Sequence, residues 1–74
     1  MEQKVVIHTE YITLGQLLKR ENIVPTGGMV KAFLSEYQVR VNSVPEHRRG
    51  KKLYPNDVVE IEGIGTFRIV RDGN

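Results

Sequence analysis

Hydrophobic and polar residues alternate in four segments of the chain, which is the pattern of strands that bury one face. The segments are residues 4–8, 39–42, 59–62 and 66–71. Val5 and Ile7 share one side of the first segment, and Phe67 and Ile69 share one side of the last. Turn-forming residues separate the later segments at 42–43, 55–57 and 63–65. The pattern therefore predicts a small sheet of short strands.

After the first of these segments, the apolar spacing becomes that of a helix. Three leucines form one stripe, Leu14, Leu17 and Leu18. Thr13 precedes the stripe and Gln16 follows Thr13 by three residues, the spacing of a capping box in which each side chain binds the other residue's backbone N–H. Asn22 tolerates the left-handed conformation that ends many helices. We therefore predict a first helix that starts at residue 14 and stops near residue 22.

A second helix is predicted after Pro25. Four apolar residues follow at helical spacing, Val30, Phe33, Leu34 and Tyr37. Thr26 is its expected N-cap, and the pattern spans about three turns. The linker 21–25 is short enough for the two helices to pack as an αα-hairpin. The predicted fold class is α+β, with a two-helix αα-hairpin packed on a small, mainly antiparallel β-sheet in a single domain, 1–74.

The composition fits one compact domain and removes several kinds of chemistry. The chain has 74 residues, of which 39% are hydrophobic and 27% are charged, a balance typical of folded chains. It has no cysteine, which excludes disulfides, thiolate zinc sites, iron–sulfur clusters and cysteine nucleophiles. His8 and His47 are the two histidines, so a metal site would need mostly carboxylates. We predict no metal and no cofactor.

The sequence indicates neither catalysis nor a membrane. Ser35 and Ser43 do not stand in the setting of a catalytic serine, and Glu60 and Glu62 belong to an ordinary half-buried strand pattern. No apolar run approaches the ~20 residues of a membrane span, and no signal-peptide core is present. We predict a cytoplasmic, non-enzymatic protein with no membrane partner and no small-molecule substrate.

The net charge of +2 is unevenly distributed along the chain. Residues 19–52 contain eight basic and three acidic residues, a charge of +5, and the two ends together carry −3. Such asymmetry indicates a basic face for a polyanion. Its strongest part is a run of four cations around a glycine: Arg48, Arg49, Gly50, Lys51 and Lys52. These side chains either follow a phosphate backbone or form a solvated loop that keeps the chain soluble.

Other residues extend this prediction with less force. Two glycines after Thr26, Gly27 and Gly28, either let a phosphate approach the helix start closely or form an ordinary weak first turn. Lys31 is expected to face outward beside Thr26. Lys19 and Arg20 either extend the basic surface or balance the helix dipole. The tyrosines Tyr37 and Tyr54 either stack on a base or bury their rings.

An ordered set of motifs between residues 13 and 63 carries a family resemblance. The segments are LGQLL at 14–18, VPT at 24–26, VKAFL at 30–34, QVRVN at 38–42 and KLYPNDVVE at 52–60. Together they resemble the ribosomal protein S-four-type RNA-binding domain, also called the alpha-L RNA-binding motif. That family has a first helix, a Ser/Thr-capped second helix, V-x-V-N-G, a basic loop and P-G-D. Among its members, the small standalone ones are the most similar.

The chain departs from this pattern at four positions. Gly27 stands where the family often has an arginine after the cap, and Ser43 and Asn56 replace turn glycines. Tyr37 replaces the glycine that closes the second helix. Because a tyrosine with φ > 0 is strained, that helix is expected to end one residue earlier or later.

The resemblance implies a non-catalytic protein that binds structured RNA, ribosomal RNA first and transfer RNA second, in ribosome assembly or translation with a ribosomal subunit as partner. The candidate RNA-binding residues are Arg20, Thr26, Gly27, Gly28, Lys31, Arg40, Arg48, Arg49, Lys51 and Lys52. Two alternatives remain open. One is a protein-interaction adaptor whose basic loop meets an acidic partner. The other is a sulfur-carrier-like module, although such carriers act through a C-terminal Gly-Gly and this sequence has Gly73-Asn74 there.

Overall fold

The computed structural model describes residues 2–72, which contain seven short strands and two helices. The strands are β1 (Glu2–Ile7), β2 (Ile12–Thr13), β3 (Val39–Val41), β4 (Val44–Pro45), β5 (Lys52–Leu53), β6 (Val58–Ile61) and β7 (Gly65–Arg71). The helices are α1 (Leu14–Arg20) and α2 (Val30–Glu36), and a 3₁₀ turn, Gly27–Met29, leads into α2. The predicted α+β class is confirmed.

Five of the strands form one sheet in the order β1-β7-β6-β3-β4. The outer pair β1–β7 is parallel, with Val5 opposite Ile69, and the other three pairs are antiparallel. Strands β2 and β5 form a separate two-stranded antiparallel sheet, in which Thr13 lies opposite Lys52. The sheet is therefore mainly antiparallel, as predicted.

The core is made entirely of hydrophobic side chains within residues 2–72. Burial alternates along the strands as the sequence predicts. In β1, for example, Val5 and Ile7 are buried between exposed neighbours. The other strands and α1 bury Val39, Val41, Val59, Ile61, Phe67, Ile69, Leu14, Leu17 and Leu18. The strand faces and the leucine stripe are confirmed.

The first helix begins and ends as the sequence predicts. The backbone N–H of Thr13 donates to Gln16 Oε1 at 2.9 Å, and the N–H of Gln16 donates to Thr13 Oγ1 at 3.3 Å, which completes the capping box. Beyond the helix, Asn22 has φ 60°, the left-handed conformation expected of it. The local sequence therefore fixes both ends of α1.

The second helix is shorter than predicted, with seven residues rather than about three turns. Thr26 has the extended backbone of a cap, but its side chain makes no capping hydrogen bond, so the predicted side-chain cap is wrong. Glycines 27 and 28 are poor α-helix formers, and they adopt a 3₁₀ turn instead. Tyr37 is extended at φ −111°, so α2 ends at Glu36 without strain. The Tyr37 side chain is exposed and stacks on Phe33, with ring centroids 4.3 Å apart.

Candidate nucleic-acid interface

The basic loop, residues 46–52, is fixed against the first turn of α1 by its own backbone. The N–H of Leu14 donates to the carbonyl of Lys51, and the N–H of Gly15 donates to the carbonyl of Arg49, both at 2.9 Å. The first N–H groups of a helix have no partner within the helix. The loop carbonyls supply those partners, so the loop backbone is held in place while its side chains remain available.

Gly15 is the point at which the basic loop, α1 and α2 meet. A Cβ at this position would lie 3.3 Å from the Arg49 carbonyl oxygen and 3.5 Å from Val30 Cγ1. The lack of a side chain therefore lets the loop approach the start of α2, where Lys31 follows Val30. The sequence alone predicted no role for Gly15. The available signal was the glycine itself, because a glycine in a helix lowers helix stability by about 1 kcal/mol relative to alanine and therefore often has a packing reason.

Arg48 is already paired within the loop. The Glu46 carboxylate accepts hydrogen bonds from the backbone N–H of Arg48 at 3.0 Å, from its Nε at 3.0 Å and from its Nη2 at 3.3 Å. The Arg48 side-chain hydrogen bonds, reinforced by its backbone N–H and its charge, lower the pKa of Glu46 to about 2. The N–H of Glu46 also donates to the Val39 carbonyl at 2.9 Å. Arg48 thus neutralises the acid of the loop, and the backbone of Glu46 ties the loop to β3.

The remaining cations of the loop have no acidic partner in the described part of the chain. Arg49, Lys51 and Lys52 form no ion pair there, nor does Lys31 on the exposed side of α2. The ammonium of Lys52 lies 4.9 Å from the ring centroid of Tyr11, a cation–π contact. Four positive side chains are therefore presented around the start of the two helices.

The turn before α2 contributes a second part of this surface. Thr26, Gly27 and Gly28 are all exposed. A Cβ at Gly27 would lie 3.8 Å from Lys19 Cδ and 4.0 Å from Lys19 Nζ. The structure therefore places the Lys19 side chain alongside this turn, a proximity that the sequence could not show.

Two predicted site residues lie elsewhere. Arg40 stands between the buried Val39 and Val41 on β3, so it faces the outer side of the sheet, opposite Glu60 in the register of β6. Arg20 lies at the far end of α1, where its guanidinium donates to the carbonyl of Val6 on β1. The structure therefore brings the loop and Lys31 together but leaves Arg20 and Arg40 apart from them.

The two motif residues Asn42 and Asp57 hold the neighbouring turns together. Asn42 Nδ2 donates to Asp57 Oδ1 at 3.1 Å, and Asn42 Oδ1 accepts from the N–H of Val58 at 2.9 Å. Asp57 Oδ2 accepts from the N–H of Tyr54 at 2.8 Å. Asn42, Ser43 and Asn56 all have positive φ, so they occupy the conformations for which the family pattern has glycines or asparagine. These motifs frame the basic loop on both sides.

Residues 2–72 contain neither a metal-binding cluster of three or more His, Cys, Asp or Glu side chains nor a helix long and apolar enough to cross a membrane.

Comparison with known proteins agrees with the motif order. The S4 domain model matches residues 5–70, which adds half of β1 and most of β7 to the segment that carried the resemblance. A protein of Bacillus subtilis (strain 168), described as the probable ribosome maturation protein RlbA, is 56% identical over 70 residues, which cover 95% of this chain and 99% of that protein. With the family model spanning nearly the whole chain, this protein belongs to the S4 family of RNA-binding domains.

Proposed function

We propose that this protein binds structured ribosomal RNA, without catalysis, and acts in the maturation of the ribosome. Its membership of the S4 family and its similarity to a probable ribosome maturation protein support this proposal. The observation that carries it is the docked loop: its backbone is bonded to α1, and its cations Arg49, Lys51 and Lys52 have no acidic partner within residues 2–72. Transfer RNA is the second choice of ligand. The role would place the protein in the cytoplasm.

The proposed mode of binding is recognition of shape through phosphates and 2′-hydroxyl groups. α1 and α2 would form the alpha-L hairpin, and the loop would lie beside it along one strand of the RNA. Each lysine or arginine that meets a phosphate releases a condensed counterion, so affinity falls as salt rises. Because the loop backbone is already fixed, little loop entropy would be lost on binding.

The proposal gives the candidate residues different roles. Arg49, Lys51, Lys52 and Lys31 would contact phosphates, and Arg48 would position the loop through Glu46 as well as face the RNA. Thr26, Gly27 and Gly28 would allow close approach of the backbone, next to Lys19. Arg20 would lie at the edge of the interface, and Arg40 would lie outside it on the outer side of the sheet. In this proposal residues 1–74 act as one RNA-binding domain.

The test is a comparison of two triple variants with the same change of charge. One is Arg49→Ala, Lys51→Ala and Lys52→Ala in the loop, and the other is Lys4→Ala, Arg40→Ala and Arg71→Ala on the strands. We expect the loop variant to lose affinity for ribosomal subunits and to flatten the log–log salt dependence by about 2 to 3, since each phosphate contact contributes ~0.7–0.9. The strand variant should keep most of both.

Equal losses in the two folded variants would contradict the site, because they would show a response to net charge alone. Treatment of the complex with nuclease distinguishes the adaptor alternative. Association that survives digestion of the RNA would show protein contacts instead. The residues on which the sulfur-carrier alternative depends, Gly73 and Asn74, lie outside the described residues.

A further inference from the structure

A hollow of about 320 Å³ adjoins the basic loop between the β3–β4 turn and Tyr54. Two of its walls are exposed apolar side chains. Val44 is 63% exposed and Tyr54 is 44% exposed, although both are large hydrophobic residues in a chain with a well-buried core. Lys51 and Lys52 also line the hollow, as do the acids Glu46 and Asp57.

Both acids of the hollow are already occupied by hydrogen bonds. The two oxygens of Glu46 accept from Arg48, and the two oxygens of Asp57 accept from Asn42 Nδ2 and from the N–H of Tyr54. Lys51 and Lys52, in contrast, have no ion pair within residues 2–72. The Arg48 guanidinium offsets the charge of Glu46, whereas the neutral donors to Asp57 leave its charge in place. With Lys51 and Lys52 in its wall, the hollow therefore has a small net positive charge.

Tyr54 is held in position before any ligand binds. Its backbone N–H and carbonyl are both bonded to Asp57, at 2.8 and 2.9 Å. Its ring lies 5.8 Å from the ring of Tyr11 at an interplanar angle of 51°, and Tyr11 in turn contacts the Lys52 ammonium. A side chain that is already fixed loses less entropy when a ligand stacks on it.

We infer that this hollow takes one unpaired base of the bound RNA, stacked on Tyr54, with Lys51 and Lys52 at the adjoining phosphates. Stacking on an aromatic ring next to cations is how proteins hold single nucleotides, and the volume is at the small end of ligand sites. The inference rests on the proposed function and adds to it that the RNA carries an unpaired nucleotide at this contact. A fully paired helix would leave the hollow empty.

The experiment uses an RNA hairpin with one unpaired nucleotide in its stem, and the same hairpin with the stem fully paired. The unpaired nucleotide is adenosine for affinity measurements and 2-aminopurine for fluorescence, which is quenched when the base stacks. We expect the native protein to bind the bulged hairpin more tightly and to quench its fluorescence. Tyr54→Ala should lower affinity for the bulged hairpin about 10-fold, while leaving affinity for the paired one nearly unchanged.

The control variants separate stacking from folding. Tyr54→Phe keeps the ring and should retain the preference and the quenching. Tyr37→Ala removes a tyrosine of nearly the same exposure, 46%, that lies outside the hollow, and it should change neither. Val44→Ser removes the opposite wall without touching the ring, so it should weaken the preference even if Tyr54→Ala proves unstable.

The outcomes distinguish the inference from the proposed function. If the native protein binds both hairpins equally, or if Tyr54→Ala and Val44→Ser keep both the preference and the quenching, the base site is wrong while RNA binding stands. If the native protein binds neither hairpin nor ribosomal subunits at low salt, the proposed function fails, and this inference fails with it.

Discussion

The basic loop and the outer face of the sheet both carry several cations, but they use them differently. On the sheet, Arg68 forms a two-point ion pair with Glu2, at 2.8 and 3.1 Å, and Arg40 stands opposite Glu60. In the loop, one arginine neutralises the one acid, and the remaining cations have no acidic partner within residues 2–72. The two surfaces therefore differ in the acids beside their cations. Glu2 and Glu60 lie among the basic residues of the sheet, whereas both oxygens of the one acid in the loop are bonded to Arg48. This difference is why we propose the loop, and not the sheet, as the surface for RNA.

The two regions also differ in what fixes them. The cations of the sheet help to hold strands together, since the Arg68–Glu2 pair joins β7 to β1. The loop is held instead by carbonyls that cap α1, and within residues 2–72 the side chains of Arg49 and Lys51 have no hydrogen bond or ion pair to give up when a ligand binds. The loop is therefore held mainly by its backbone.

Truncation of Leu53, which follows the basic loop on β5, should have the largest effect. The Leu53 side chain is completely buried. We expect Leu53→Ala to lower the free energy of unfolding by about 2–5 kcal/mol, because the cavity cannot close fully. Urea denaturation measures the change. Ile64→Ala in the exposed turn before β7 is the matched control and should change stability by less than about 0.5 kcal/mol.

Charge reversal tests the contrast between the loop and the strands directly. Arg49→Glu with Lys51→Glu should weaken binding to ribosomal subunits at least ~100-fold, because like charges at an interface cost several kcal/mol. Lys4→Glu with Arg71→Glu makes the same change of net charge on β1 and β7. A similar loss in that second variant would show that affinity follows net charge rather than the loop, against our assignment.

A side chain at Gly15 should loosen the loop without changing any charge. Gly15→Val places atoms against the Arg49 carbonyl, where even a Cβ would be at 3.3 Å. We expect the free energy of unfolding to fall by about 1–3 kcal/mol through overpacking, and RNA affinity to fall as the loop shifts. Gly50→Ala, in the same loop but with no atom within 4 Å of its Cβ, should leave stability nearly unchanged.

Low pH should reduce the stability of the protein by protonating Glu46, and this effect should be smaller than those of the substitutions above. The pKa of this carboxyl is lowered from 4.5 to about 2 in the folded protein, so its contribution is fully present above pH 4.5 and is lost as the pH falls towards 2. Because its partner Arg48 is mostly exposed, we expect a contribution of no more than about 1 kcal/mol. Denaturation of Glu46→Gln and the native protein as a function of pH should show a difference at pH 7 that disappears near pH 2.

Glu46→Gln also tests the role of Arg48 at neutral pH. Removal of the Glu46 charge leaves Arg48 unpaired, as the other loop cations are. Glu46→Gln should therefore bind RNA at least as tightly as the native protein, provided that the loop stays docked. A marked loss of affinity in a folded variant would show that Arg48 acts chiefly through its bond to Glu46.

Features that depend on neighbouring residues could be predicted from the sequence. The capping box of Thr13 and Gln16, the left-handed Asn22 and the buried faces of the strands all follow from spacings of a few residues. The second helix shows the limit of such reasoning. Its apolar spacing predicted three turns, but two glycines and the extended Tyr37 shortened it at both ends.

Features that join distant segments could not be predicted. The bonds from Leu14 and Gly15 to the loop connect residues more than thirty positions apart, and no local pattern encodes them. The separation of Arg40 from the loop likewise depends on which face of β3 is buried against the helices. The charge pattern shows that basic residues are concentrated in one segment of the sequence, whereas the fold decides which of them share a surface.

The parallel pair β1–β7 also sets an order on how the chain can fold. Glu2 and Arg68 are 66 residues apart in sequence, so β1 cannot pair with its neighbour until β7 has left the ribosome. The helices, the loop and the β3–β6 pair involve shorter separations, and their closure costs less entropy. We expect β1 to dock last, after the basic loop has already docked on α1.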